Sequence, residues 1–326
     1  MTNGIAPTDQ NRDLAITAPL PLSHHPAVVY LSGLTSENSR RTMRAALNNV
    51  ASILQPGNVS PDRCLSVDWA ALRFQHTAAI RARLVETYQP ATVNKTLSAL
   101  RGVLKASWKL GLLGAEEYHQ ARAVEDVKNT TLPAGRDVDT GEIVALGRAC
   151  KADKNRMLGH RDLAILAILY TCGLRRAEIV SLEMADIEIN ESRALIRVQH
   201  GKGRKARTVY GKNGALAALK AWLAIRGDQP GAVFNPVLKS GKLESRHMSA
   251  QAIYNMLKSR AVESGVADFS PHDMRRTFVG NLLDAGADIV TVQKLAGHAS
   301  VNTTGRYDRR PEETKEKAAA LIHFPV

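Results

Sequence analysis

Apolar residues recur every three to four positions along nearly the whole chain, and they switch to alternation only once, between residues 186 and 210. A helical period buries one stripe of a segment, whereas alternation buries one face of a strand. The expected fold class is therefore mainly α, an α+β arrangement with a small antiparallel sheet confined to the second half. In the first half, Ser36-Glu37-Asn38 precedes a stripe of Met43, Leu47, Val50 and Leu54, which Pro56-Gly57 closes. A second helix fits Trp69, Leu72, Ile80 and Leu84, with Asp68 as its N-cap. A third starts after Pro90 and carries Val93, Leu97, Leu100, Leu104 and Trp108 as far as Gly111. A short fourth covers 116–127.

The segment 129–140 (NTTLPAGRDVDT) is polar and contains Pro133 and Gly135, which reads as a linker. The expected organisation is a disordered tail at 1–25, a helical bundle at 26–128, a linker at 129–139 and a mixed domain at 140–326. In the mixed domain, helices are expected at 140–149, 161–171 and 175–182. Ile187 and Ile189, then Leu195, Ile196 and Val198, then Thr208, Val209 and Tyr210 suggest three antiparallel strands. Helices return at 213–226, 249–264, 272–285, 288–296 and 300–307, and an amphipathic tail helix is expected at 312–322.

Charge narrows the partners. The chain carries 44 Lys+Arg against 31 Asp+Glu, a net +13, and its pI is about 9.8. Both halves share the surplus: 14 against 10 up to residue 128, and 30 against 21 beyond it. A surplus of this size suits an acidic partner, of which nucleic acid is the commonest. No apolar run approaches the length of a membrane span, and the start of the chain has no basic-then-apolar leader, so a cytoplasmic protein without a membrane partner is expected. Cys64, Cys150 and Cys172 are widely spaced, with no CxxC pair, so they read as reduced core thiols and suggest neither a zinc site nor a disulfide framework.

Four segments hold polar residues whose pattern goes beyond an ordinary surface. In Thr171-Cys172-Gly173-Leu174-Arg175-Arg176-Ala177-Glu178, a buried helix ends at Gly173 and Arg175 opens the next, although an Arg175–Glu178 pair across one turn would account for the charges equally well. Gly201-Lys202-Gly203-Arg204-Lys205 forms a basic turn between strands, suited either to a groove in a polyanion or to plain solvation. His272-Asp273-Met274-Arg275 puts His272 and Arg275 on one helical face, where both could meet one phosphate. Leu295-Ala296-Gly297-His298 is followed nine residues after the histidine by Tyr307; a lone buried histidine or tyrosine is usually structural.

Taken together, Arg175 with Glu178, Lys202, His272-x-x-Arg275, Gly297-His298 and Tyr307 resemble, in order and spacing, the catalytic set of the tyrosine recombinases. This is the phage integrase family, which includes Xer-like resolvases and the integrases of mobile elements. The resemblance is strong over 137–326 and rests on position and helix count in the first half, which would correspond to the family's core-binding, DNA-binding domain.

The resemblance implies catalytic roles for Arg175, Lys202, His272, Arg275, His298 and Tyr307. Tyr307 would attack a scissile phosphate, leaving a 3′-phosphotyrosine and a free 5′-hydroxyl. Arg175 and Arg275 would hold the non-bridging oxygens, His298 would donate a further hydrogen bond, His272 would accept or share the phenol's proton, and Lys202 would protonate the departing 5′-oxygen. No metal and no cofactor is implied. The partner would be double-stranded DNA with specific recombination sites. A homotetramer would exchange strands in pairs through a Holliday junction, with the tail helix docking on a neighbour. Arg276 stands where the family often has His, Ala296 where it usually has Leu, and Asp308-Arg309-Arg310 follows the tyrosine; these put the sub-family in question and remove no catalytic group. A type IB topoisomerase, or a non-catalytic DNA-binding protein of the same fold, is the alternative.

Overall fold

The computed structural model describes residues 21–128, 135–199, 206–238 and 240–308, together with 316, 319, 320 and 322. Lys202 and its turn, and most of the expected tail helix, lie outside the described residues. The chain divides into two compact units, Met1–Thr131 and Leu132–Val326.

Among the described residues five α-helices build the first unit: α1 (Pro26–Ser32), α2 (Glu37–Leu54), α3 (Phe74–Thr87), α4 (Pro90–Lys109) and α5 (Ala115–Arg122). The central one is α4, which packs against each of the other four helices and buries Val93, Leu97, Leu100, Val103 and Leu104 against Leu47, Trp69, Leu72, Ile80 and Leu84.

Two features differ from the expectation. A short 3-10 turn, Leu22–His24, and then α1 occupy the stretch just before α2. The His25 ring caps α1 by accepting from the Ala27 N–H at 3.2 Å, and Pro26 sits in the first turn, where its missing donor costs nothing. Tyr30 of this helix lies so close to Gly102 of α4 that a Cβ there would meet its ring at 2.3 Å. A glycine inside a helix is otherwise unfavourable, so Gly102 is the sequence's trace of this packing.

The second difference is the start of the expected helix over Trp69 to Leu84. Asp68 does cap, accepting from the Ala70 and Ala71 amides at 3.0 and 3.3 Å, but what it caps is a 3-10 turn, Trp69–Ala71. Leu72 and Arg73 are extended, and α3 begins at Phe74, where the His76 ring accepts from the Arg73 N–H at 3.0 Å. Local side-chain acceptors offer the backbone a competing start, which apolar spacing alone does not register.

The second unit contains α6 (Thr140–Lys151), α7 (Arg156–Cys172), α8 (Arg176–Val180), α9 (Asn213–Arg226), α10 (Ala250–Ser264), α11 (Pro271–Asp284), α12 (Ile289–Ala296) and α13 (Val301–Gly305). Strands β1 (Ile187–Ile189), β2 (Ala194–Val198) and β3 (Arg207–Gly211) form the expected antiparallel sheet in the order β1-β2-β3, with Ile187 opposite Ile196 and Ile196 opposite Val209.

Helix α7 is the hub, packed against α6, α9, α11 and β3. It buries Ile165, Ile168 and Leu169, and it also buries Asp162, which is 2% exposed. That carboxylate accepts from Arg161 at 2.7 and 3.0 Å and from Arg260 of α10 at 2.7 and 3.0 Å, so a fully paired charge ties α7 to α10.

Helix α7 ends on Gly173, whose φ of +59° and lack of a Cβ are both required: an added Cβ would stand 2.2 Å from the Phe278 ring. Gly173→Ala is expected to destabilise the protein by roughly 2–5 kcal/mol, combining left-handed backbone strain with overpacking. A urea midpoint equal to that of the unaltered protein would show that Phe278 yields freely.

Candidate active site

The last carbonyls of a helix have no partner within it. At the end of α12 these acceptors are Leu295, Ala296 and Gly297, and each takes a hydrogen bond from a different arginine. Arg207 Nε donates to the Leu295 carbonyl at 2.9 Å, Arg275 Nη2 donates to that of Ala296, and Arg175 Nη2 donates to that of Gly297 at 3.0 Å. The partial negative charge of a helix C-terminus favours cations there. Gly297, with a φ of +64°, turns the chain at this point and presents His298 immediately afterwards.

Arg175 is the N-cap of α8, and the expected pair with Glu178 is present, at 2.6 Å from Nη1. Arg275 bridges two helix ends: its other nitrogen, Nη1, donates to the carbonyl of Gly173 at 2.6 Å. Arg275 is 4% exposed, and burial together with the neighbouring Arg175 pushes its guanidinium down to about 9.

Among the described residues Glu178, 2% exposed, is the one carboxylate bonded to this arginine cluster; it also accepts from Arg207 at 3.0 and 2.7 Å and from the Arg175 amide at 2.9 Å. Burial alone would raise its pKa, but the bonds from Arg207 and the Arg175 amide outweigh it and hold the group below the usual carboxylate range. Two guanidiniums, those of Arg175 and Arg207, thus share one carboxylate, while the neighbouring Arg275 donates to backbone carbonyls, an excess of positive charge that suits an anion.

Helix α11 delivers His272 and Arg275 on one face. Its start is fixed by a capping box in which Ser270 and Asp273 bond reciprocally, with Pro271 in the first turn. His272 Nε2 lies 3.3 Å from the Tyr307 hydroxyl. Tyr307 is 9% exposed and belongs to a small core with Phe278, Val279, Leu283, Val292 and Ala296. Its ring stacks on that of His298, centroids 6.1 Å apart at 21°, and the guanidinium of Arg276 lies over it at 6.0 Å. Nδ1 of His298 is 2.9 Å from the Thr304 hydroxyl.

Of the six residues singled out from the sequence, Arg175, His272, Arg275, His298 and Tyr307 therefore come together, whereas Lys202 lies outside the described residues. Among the described residues no group of three or more His, Cys, Asp or Glu is placed to hold a metal ion.

The two histidines have distinct electrostatics. Burial, then Arg275 and Arg175, push His298 down to about 4; burial and then Arg275 also lower His272 from its usual 6.5. Both rings are neutral at pH 7. Because both folded values lie below the unfolded one, the stability the two rings carry is complete above about pH 6.5 and is lost as the pH falls, for His298 down to about pH 4. An NMR titration of the DNA-free protein should find His298 uncharged at pH 5; a ring that titrates at its ordinary value would mean the arginines do not face it.

Sequence reading missed Arg207. Its signal was nonetheless present: alternation along β3 puts Arg207 on the same face as the buried Val209 and Gly211. An arginine on an inward face requires a buried partner. In the second unit no helix is long and apolar enough to cross a membrane, and the same holds for all described residues.

Comparison with known proteins gives the family of the chain. Residues 137–313 match the phage integrase family. Tyrosine recombinase XerD of Brucella suis biovar 1 is 38% identical over 247 residues, covering 72% of this chain and 77% of its own length. Tyrosine recombinase XerD of Pseudomonas putida is 29% identical over 319 residues, covering 93% of this chain and 99% of the relative. In fold, the chain is similar to the XerH site-specific recombinase bound to difH substrate, with a TM-score of 0.63 at 18% identity, covering 96% of this chain and 92% of that one. The chain belongs to the phage integrase family of tyrosine recombinases, the DNA breaking-and-rejoining enzymes of site-specific recombination.

Proposed function

We propose that Tyr307 is the nucleophile of a site-specific strand exchange on double-stranded DNA, with Arg175, Lys202, His272, Arg275 and His298 as its catalytic partners. The observation that carries this reading is the 3.3 Å approach of the Tyr307 hydroxyl to His272 Nε2, beside two arginines on the same helix ends.

A phenol ionises near pH 10 and needs a proton acceptor at neutral pH. Neutral His272 takes that proton, and the phenolate oxygen bonds to phosphorus. The bond from phosphorus to the 5′-oxygen breaks, and Lys202 supplies the proton that the 5′-oxygen gains. Arg175 and Arg275 neutralise the non-bridging oxygens as negative charge builds on them. In the tautomer whose Nδ1 accepts from the Thr304 hydroxyl, 2.9 Å away, Nε2 of His298 carries the hydrogen offered to the same phosphate. The product is a 3′-phosphotyrosyl enzyme, and attack by another 5′-hydroxyl reverses the sequence on a new strand. The phosphodiester energy is kept in the covalent link, so the cycle balances without a nucleotide cofactor.

The helical unit ending near residue 128 would be the core-binding domain, and four copies on two sites would exchange strands in pairs. A Xer-like or mobile-element role is compatible with the relatives, whose names do not favour the topoisomerase alternative. The test is a suicide substrate nicked so that the cleaved 5′ end diffuses away. It should trap one DNA covalently per Tyr307, and sedimentation of a two-site complex should report four protomers. A protein that binds the site and yields no covalent product would be a binding protein of this fold.

A further inference from the structure

The guanidinium of Arg207 is held by protein groups through all three of its nitrogens. Nη1 and Nη2 grip the two oxygens of Glu178, while Nε donates to the Leu295 carbonyl at the end of α12. The side chain is 9% exposed. It also packs on the α-carbon of Gly297: a Cβ there would meet Arg207 Cδ and Nη1 at 3.0 Å. One side chain on β3 thus touches the carboxylate that orients Arg175 and the turn that presents His298, two features otherwise separated by more than a hundred residues of chain.

We propose that Arg207 is a positioning residue that sets the distance between Arg175 and His298 by clamping Glu178 to the end of α12, so that both groups address one phosphate. The inference rests on the catalytic assignment of Arg175 and His298 made above. Arg207 itself does not touch the DNA. With its nitrogens engaged inside the protein, its contribution is geometric, and a residue that supplied only charge would not reproduce it.

Lysine separates these possibilities, because it keeps the cation that neutralises Glu178 but has neither the fork nor the Nε donor. Arg207→Lys is expected to leave site-specific DNA affinity and thermal midpoint near those of the unaltered protein. Single-turnover cleavage of the suicide substrate should fall on the order of 10–100-fold, the scale on which partners that orient a reacting group act. Combining it with Arg175→Lys should cost much less than the product of the two single effects, since both substitutions disturb the same constellation.

Should Arg207→Lys not fold, the pair Glu178→Gln and Arg207→Gln in one chain removes both charges together, and its cleavage should still be depressed at normal DNA affinity. Cleavage at the unaltered rate in whichever of these variants folds would overturn the proposal, as would multiplying effects in the double variant with Arg175→Lys. Failure of the underlying assignment looks different: Arg175→Lys or Tyr307→Phe alone would then still cleave, whatever Arg207 does.

Discussion

Tyr307→Phe is expected to eliminate covalent capture of DNA while leaving binding and folding nearly unchanged. The substitution removes one hydroxyl, whose hydrogen-bond partner is His272 at 3.3 Å. The ring remains, with its packing against Phe278, Leu283 and Val292 and its stack on His298. Little apolar area is lost, so the stability change should stay below about 1 kcal/mol, within the span of one modest hydrogen bond. The chemical change is total, because no other oxygen takes the place of the attacking atom. A cleavage rate lower by about 10⁴-fold or more is the scale on which loss of a covalent nucleophile acts. Single-turnover cleavage together with a binding isotherm on the same DNA measures both quantities. Residual adduct formation by the purified variant would place the nucleophile elsewhere.

The second large effect is expected at Arg275, where the conservative exchange should behave as a severe one. Arg275→Lys should lower the cleavage rate by about 100-fold or more, the loss that follows removal of one oxyanion donor. The reason is visible in its partners. Two nitrogens are fixed on the Gly173 and Ala296 carbonyls, at the ends of α7 and α12, and this fixing orients the fork. A lysine ammonium can reach one of these carbonyls but cannot bridge both and still face a phosphate as a rigid plane. The site is also costly for any cation: burial and Arg175 already push the guanidinium down to about 9. A lysine there, starting from a lower intrinsic value, is expected to lose its charge more readily. Cleavage that recovers as the pH is lowered would be the signature of that neutral lysine; a variant with normal turnover at pH 8 would make Arg275 a structural bridge alone.

The sequence by itself determined the fold class, the place of the sheet and the set of residues that come together. Periodicity was sufficient for α4, α9, the three strands and α7 from Arg161 onward, because their burial is one-sided or complete and each type repeats with its own spacing, whereas the first turn of α7, from Arg156, was not foreseen. The order of Arg175, His272, Arg275, His298 and Tyr307 was sufficient to foresee one site, although any one of these residues would have fitted an ordinary role. The start of α3 was not legible, since Asp68 and His76 compete locally for backbone donors and their competition leaves the apolar pattern unchanged.

Only the tertiary structure decided what holds the site. Arg207 lies on a strand, Glu178 on a short helix, and Leu295, Ala296 and Gly297 at the end of another helix. Their association depends on unpaired helix-end carbonyls, and a carbonyl belongs to every residue, so no side-chain pattern marks which of them will be left for an arginine. Glu178 could be read from its spacing as a partner of Arg175. That it also serves Arg207, and so joins β3 to α12, follows from where the chain brings those elements, and the buried carboxylate is then shared by the two arginines Arg175 and Arg207.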